Sequence, residues 1–121
     1  MKKTLILFIS ISGILIGQPF NGMTLFSPTE GGGGGGGSFN TYLVNNDMDV
    51  INEWTHPRGV ASMPYLLPDS TLVYPYRVQN PTMGSGGVGG GISKYSWNGD
   101  LIWNYEISNY TYQHHHDVEP I

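Results

Sequence analysis

One stretch of this chain repeats another. Residues 42–54 (YLVNNDMDVINEW) align with a second copy about fifty residues later, inside 89–121 (GGGISKYSWNGDLIWNYEISNYTYQHHHDVEPI). Val50 and Ile51 fall on Leu101 and Ile102, and Trp54 falls on Tyr105. Asp47-Met48-Asp49 lies over Asn98-Gly99-Asp100, a tight-turn sequence. Further on, 62–67 lies over 116–121 with a small shift, so the bland Ser62-Met63 pair becomes His116-Asp117. A period near fifty, made of short strands and Gly/Asn/Asp turns, is the range of propeller blades. The copy retains its scaffold positions, while one strand start acquires titratable side chains.

The strands implied by the repeat are short and bounded by turns. Segments 41–45 and 50–54 pair around 46–49, 63–67 and 71–74 around Pro68-Asp69-Ser70, and 92–97 and 101–105 around Asn98-Gly99-Asp100. No window past the N-terminal segment sustains a 3.6-residue apolar period. With eight prolines and a single alanine, Ala61, helix is disfavoured through the rest of the chain. The expected fold is all-β: a partial β-propeller of two blades at most over 41–121, after an N-terminal signal-peptide helix (1–17) and a Gly-rich leader or linker (18–40).

Residues 1–17 read as a secretory signal: Lys2-Lys3, then the apolar run LILFISISGILI, then Gly17-Gln18 as a permissive exit. That run is shorter than the roughly 20 apolar residues of a spanning helix, so no stable membrane span is expected once the signal is cleaved. The protein is therefore expected to be exported, to a periplasm, a cell surface or the medium. Formal charge is −4, and without Lys2 and Lys3 only Arg58, Arg77 and Lys94 remain as fixed positive charges. Nucleic-acid binding is excluded on that ground, because it needs a basic footprint. The chain has no cysteine, so neither a disulfide frame nor thiolate chemistry is available.

Seven consecutive glycines (31–37) and the run GSGGVGGG (84–91) are the low-complexity features. A phosphate cradle would require a following helix with Lys-Ser/Thr, and each run instead precedes a strand. They read as flexible loops or inter-blade crossings. Trp54, Trp97, Trp103 and the eight tyrosines gather at strand ends and read as filler between blades, with an aryl- or sugar-binding platform as the sharper alternative.

His114-His115-His116-Asp117 is the one dense group of titratable side chains. It is expected on or just before a strand, where His114 and His116 would share one side, with His115 and Asp117 on the other. Three readings stand open. His-x-His with Asp117 or Glu119 is usable metal-ligand spacing, although His56, in a turn beside Pro57, is the one further histidine. A polar strand edge, its imidazoles bonded to backbone carbonyls, is the structural reading. Nucleophilic or acid–base chemistry in a propeller channel is the third, with a carboxylate fixing the imidazole tautomer.

In order and spacing, NGMTLFSP (21–28), TYLVNNDMDVINEW (41–54), YLLPDSTLV (65–73), GISKYSWNGDLIWNYE (91–106) and HHHDVEPI (114–121) resemble the bacterial aryl-sulfate sulfotransferase family. Its members are six-bladed propellers. Met48 and Ser70 stand where that family has turn glycines, and the family pattern continues past the position of Ile121 with a Pro-Asn-Gly-Asn turn. The resemblance thus implies an N-terminal part of an exported aryl-sulfate:phenol sulfotransferase, inactive and poorly soluble in isolation. It implies sulfuryl transfer from a phenolic sulfate ester to an acceptor phenol through a histidine intermediate, with no cofactor and no metal. The covalent histidine and the oxygen-binding arginine would lie in later blades. Here His116 matches a channel-lining histidine that binds sulfate oxygens and stabilises charge, with His115 as a supporting catalytic candidate. Asp117 would bind beside His116, orienting an imidazole or anchoring the strand. Arg58 and Arg77 have no context that selects them. A non-catalytic propeller scaffold and a quinone-cofactor dehydrogenase propeller, suggested by the Trp-rich hairpins, are the alternatives.

Overall fold

The computed structural model describes residues 20–28, 39–84 and 86–121. These residues form two antiparallel sheets and no helix. The first sheet has the order β1-β2-β3, with β1 at Thr24–Phe26, β2 at Phe39–Val44 and β3 at Val50–His56. The second has the order β4-β5-β6-β7, with β4 at Tyr65–Leu66, β5 at Leu72–Arg77, β6 at Gly90–Tyr95 and β7 at Leu101–Glu106. The all-β expectation holds, and each of the three expected hairpins forms. The expected signal helix falls in 1–17, outside the described residues. Among the described residues no helix is long and apolar enough to cross a membrane.

The three hairpin turns are built alike. The Met48 N–H donates to the Asn45 carbonyl, that of Ser70 to Leu67, and that of Gly99 to Ser96, at 2.9–3.1 Å. The donor residue in each turn has positive φ: 67° at Met48, 62° at Ser70 and 88° at Gly99. This is a tight turn closed by one left-handed residue, the position where glycine has no Cβ to clash. Asn45 Oδ1 reinforces the first turn by accepting from the Asp47 and Asp49 amides. Met48 and Ser70 adopt this backbone without that freedom.

The sequence repeat is matched strand for strand. Thr41 pairs with Trp54 and Val44 with Val50, while Ile92 pairs with Tyr105 and Tyr95 with Leu101. Both hairpins carry a register shift at the same place, between Leu43 and Val44 and between Lys94 and Tyr95. β1 lies on β2 as β5 lies on β6: Phe26 opposes Tyr42, and Tyr74 opposes Ser93. The unit β1-β2-β3 therefore recurs as β5-β6-β7. The first sheet begins inside the stretch that reads as leader, since β1 and the start of β2 precede residue 41.

The core lies between the sheets. Alternation along β2 and β3 puts Thr41, Leu43, Trp54 and His56 on one face. Leu43 and Trp54 there meet Leu72, Tyr74, Tyr76 and Tyr95 of the second sheet. The Trp54 indole N–H donates to the Ser96 carbonyl at 2.9 Å and its ring meets Trp97 edge-on. Asn52 Nδ2 donates to the Trp97 carbonyl at 2.8 Å. The aromatic filler role thus falls to Trp54, Tyr74, Tyr76 and Tyr95; Trp97 and Trp103 remain partly exposed. Past β3 the chain turns back along β5, with the Arg77 amide bonded to the Gly59 carbonyl and the Ala61 amide to the Pro75 carbonyl. That brings Ser62 to the free end of β4, at the margin of the second sheet.

Candidate functional site

The histidine segment is fixed by a short excursion after β7. The Asn109 side chain caps it, accepting from the Thr111 and Tyr112 amides. Ser108 bridges to Gln113, and the His114 amide donates to the Ile107 carbonyl at 2.8 Å. His115 then forms a single bridge with Val88. No strand runs through 114–117, so of the expected placements, on or just before a strand, the first is not formed. The Asp117 amide bonds back to the His115 carbonyl at 2.6 Å, and His116 between them has φ of 30°. The alternation expected of a strand is lost at this turn. The His115 and His116 rings touch, with centroids 4.3 Å apart and planes at 73°, instead of facing opposite ways.

The second glycine run explains how the segment sits so close to the sheet. A Cβ on Gly89 would come within 2.8 Å of the His116 backbone nitrogen and 3.1 Å of His114 Nδ1. Gly87, at φ of 71°, would overlap the His115 imidazole if it bore a side chain. Gly87 and Gly89 therefore form a backbone platform, where the sequence reads as a flexible crossing. Nothing local in the sequence signals this role, because it depends on what packs above.

Each imidazole has a different setting. His114 accepts from the Gly90 amide at Nδ1 (3.4 Å), which leaves Nε2–H to donate to the Asp117 carbonyl. His115 Nε2 donates to the Gly86 carbonyl at 3.1 Å. Both are held by backbone, as the polar-edge reading expects. His116 differs: its Nδ1 is buried with no partner, on a residue whose backbone lies in the left-handed region. A non-glycine residue there costs on the order of 1–3 kcal/mol, which the surroundings must offset.

Asp117 ties the two repeats together. Its Oδ1 accepts from Ser62 Oγ at 3.1 Å and from the Tyr65 hydroxyl at 3.4 Å, and also from the Val118 amide at 3.0 Å. Desolvation and then the Asp117 carboxylate hold the Tyr65 phenol above its ordinary pKa. Ser62 thus lies beside the turn that carries His116, its counterpart in the aligned repeat.

A second histidine site went unread in the sequence. His56 is the last residue of β3, which corrects its expected turn position, and it is only 1% exposed. Its ring stacks on Tyr74 (centroids 3.6 Å, planes 12° apart) and meets Tyr95 edge-on. Thr41 Oγ1 joins His56 Nε2 at 2.9 Å and Ser27 Oγ at 2.7 Å. Burial pushes the His56 pKa down to about 4, so the ring is neutral at physiological pH. The signal was alternation: Trp54 and His56 share one face of one strand. Beside Pro57 and Arg58, a cleft of about 240 Å³ is lined by Tyr74, Tyr76, Tyr95, Asn104 and Glu106, away from the histidine segment. There the Tyr76 hydroxyl bonds to Asn104 Oδ1, and burial pushes its pKa up to about 12. Arg58 bonds to Gln79 and Arg77 is exposed.

Among the described residues there is no group of three or more His, Cys, Asp or Glu side chains placed to hold a metal ion. No family model, curated protein or solved structure matches the chain.

Proposed function

We propose that this chain forms part of a β-propeller that transfers a sulfuryl group from an aryl sulfate to a phenol, with His116 lining the central channel. The observation that carries this reading is the meeting of two segments aligned in the repeat: Ser62 Oγ bonds to Asp117 Oδ1. In sheets that repeat around an axis, equivalent positions on the innermost strands converge on that axis. We assign His116 to such a position: its backbone packs on Gly89 and its Nδ1 is buried with no partner.

The chemistry follows from residue types. A histidine elsewhere in the ring attacks sulfur, the S–O bond to the aryl group breaks, and the phenolate leaves and takes up a proton. The acceptor phenol, losing its proton, then attacks the sulfohistidine and regenerates free imidazole. Splitting one displacement into two is what a nucleophilic imidazole contributes. His116 acts as a donor to the equatorial sulfate oxygens as their charge develops, and His115 supports its ring. Asp117 fixes the segment through Ser62 and Tyr65. His114 and His115, bonded to backbone, leave His116 as the imidazole to which we assign substrate contact. The covalent histidine and the cationic partner of sulfate belong to further sheets of the ring, and export fits a reaction needing no nucleotide donor.

The test is transfer from 4-nitrophenyl sulfate to phenol by the ring-closed protein. Phenol-dependent release of 4-nitrophenol with ping-pong kinetics is expected. Absence of both release and phenyl sulfate would overturn the reading in favour of a non-catalytic scaffold.

A further inference from the structure

The cleft of about 240 Å³ beside Pro57 and Arg58 plays no part in the chemistry assigned to His116. Its walls come from both described sheets: the turn after β3 on one side, and β5, β6 and β7 on the other. Sheets added elsewhere in the ring therefore leave its lining unchanged. No aromatic face is open in it. Tyr74 is stacked on His56, and Tyr76 lies over Gly91, where a Cβ would overlap its ring. Tyr74, Tyr76 and Tyr95 are all buried, so an aryl group would find ring edges and hydroxyls there and nothing to stack on. What the cleft does present is a set of fixed polar groups. Ser93 Oγ and the Tyr76 hydroxyl both reach Asn104 Oδ1, at 2.8 and 2.7 Å. They orient the Asn104 amide, whose Nδ2 donors have no partner among the described residues. Tyr76 also lies 3.0 Å from Glu106 Oε1, so one phenol hydrogen serves two acceptors, and a further donor at Glu106 would satisfy the one left over. From the opposite wall, Arg58 bonds through Nη2 to Gln79 and makes no ion pair among the described residues. Its charge and that of Glu106 offset each other in one small space, which disfavours an ionic ligand of either sign.

We propose that this cleft binds one neutral sugar ring, a pyranose unit. Each ring hydroxyl carries one donor and two acceptor lone pairs. A pair of adjacent hydroxyls accepts from Asn104 Nδ2 and from the Arg58 guanidinium while donating to the Glu106 carboxylate. The C–H face of the ring rests on Pro57 and Leu101, the apolar groups at the mouth of the cleft. A polyol meets donors and acceptors of both kinds without bringing a charge of its own, which is what this lining asks for. The competing sugar platform is Trp103, which is 43% exposed. It neighbours Asn104 along β7 and so points to the other face of the sheet, away from the cleft. The inference does not depend on sulfuryl transfer.

Saturation-transfer difference NMR titrations with the methyl glycosides of glucose, galactose and mannose test it, on the wild type and on Glu106→Ala, Asn104→Leu and Trp103→Ala. At least one glycoside should bind with a millimolar Kd, the affinity expected of about a dozen heavy atoms. Glu106→Ala and Asn104→Leu should each weaken that binding about ten-fold, with wild-type circular dichroism. Trp103→Ala should leave it intact. If Asn104→Leu misfolds through its contacts to Ser93 and Tyr76, Glu106→Ala decides, because Glu106 is exposed. No binding of any of the three glycosides at tens of millimolar, binding that the folded cleft variants keep, or binding lost in Trp103→Ala would each overturn the proposal. None of these outcomes bears on the sulfate assay.

Discussion

The two repeats share one backbone and place their histidines differently. In the first, His56 follows Trp54 into the sheet interface and the strand start carries Ser62. In the second, Ile107 takes the position equivalent to His56, and His116 stands in the turn aligned with Ser62. His56 is sealed between Tyr74 and Tyr95 and held neutral, so it serves packing. His116 sits at a turn that strains its own backbone, beside a carboxylate that reaches the other repeat. Both rings leave a buried Nδ1 without a partner, so position in the repeat, and not residue type, separates the imidazole sealed in the interface from the one at the turn.

The largest effect expected from this contrast is at the paired aromatics. Trp54→Ala should cost about 3–5 kcal/mol in chemical denaturation, because it opens a cavity between the sheets and removes the bond to Ser96. Tyr105→Ala, at the same register position but exposed, should change monomer stability by no more than about 0.5 kcal/mol. Equal costs would break the comparison. Next comes acid sensitivity. His56 binds a proton in the unfolded chain near 6.5 and in the folded chain only near 4. Its stabilising contribution is therefore complete above about pH 6.5 and is lost as pH falls through about 4. Denaturation at pH 7 and pH 4 should differ by on the order of 3 kcal/mol from this group, and His56→Phe should abolish that difference.

Smaller effects sharpen the turn equivalence. Met48→Gly and Ser70→Gly should each stabilise the chain by about 0.5–1 kcal/mol, since both residues hold a left-handed backbone that glycine adopts freely. Gly99→Ala should destabilise by a similar amount, and thermal melts resolve changes of this size. An unchanged melting temperature in all three would mean that the turns are not the same device.

The hairpins were legible in the sequence because their turns are local: Asn-Gly-Asp and its degenerate copy Asp-Met-Asp fix φ within a few residues. The pairing of β1 with β2 was not, since glycines 31–37 separate the two strands and leave no local signal linking them. His114–Asp117 stands out in the sequence as a cluster, yet alternation on or just before a strand does not anticipate the turn at His116. The γ-like return at His116 and the platform of Gly87 and Gly89 arise from packing across about 25 residues, beyond the reach of alternation. His56 was misplaced because Pro57 suggested a turn, while the period of two from Trp54 already placed it inward.

The central claim is that the repeat aims His116, and not His56, at a shared axis where sulfate is bound. The direct measurement is phenyl sulfate formation at pH 7 by ring-closed protein carrying His116→Asn or His56→Phe. Asparagine tolerates the left-handed backbone at 116, so the fold is kept. A loss of about 100-fold or more for His116→Asn with activity retained by His56→Phe is expected, the size of losing one donor to developing charge. Full activity in a folded His116→Asn protein would contradict the account.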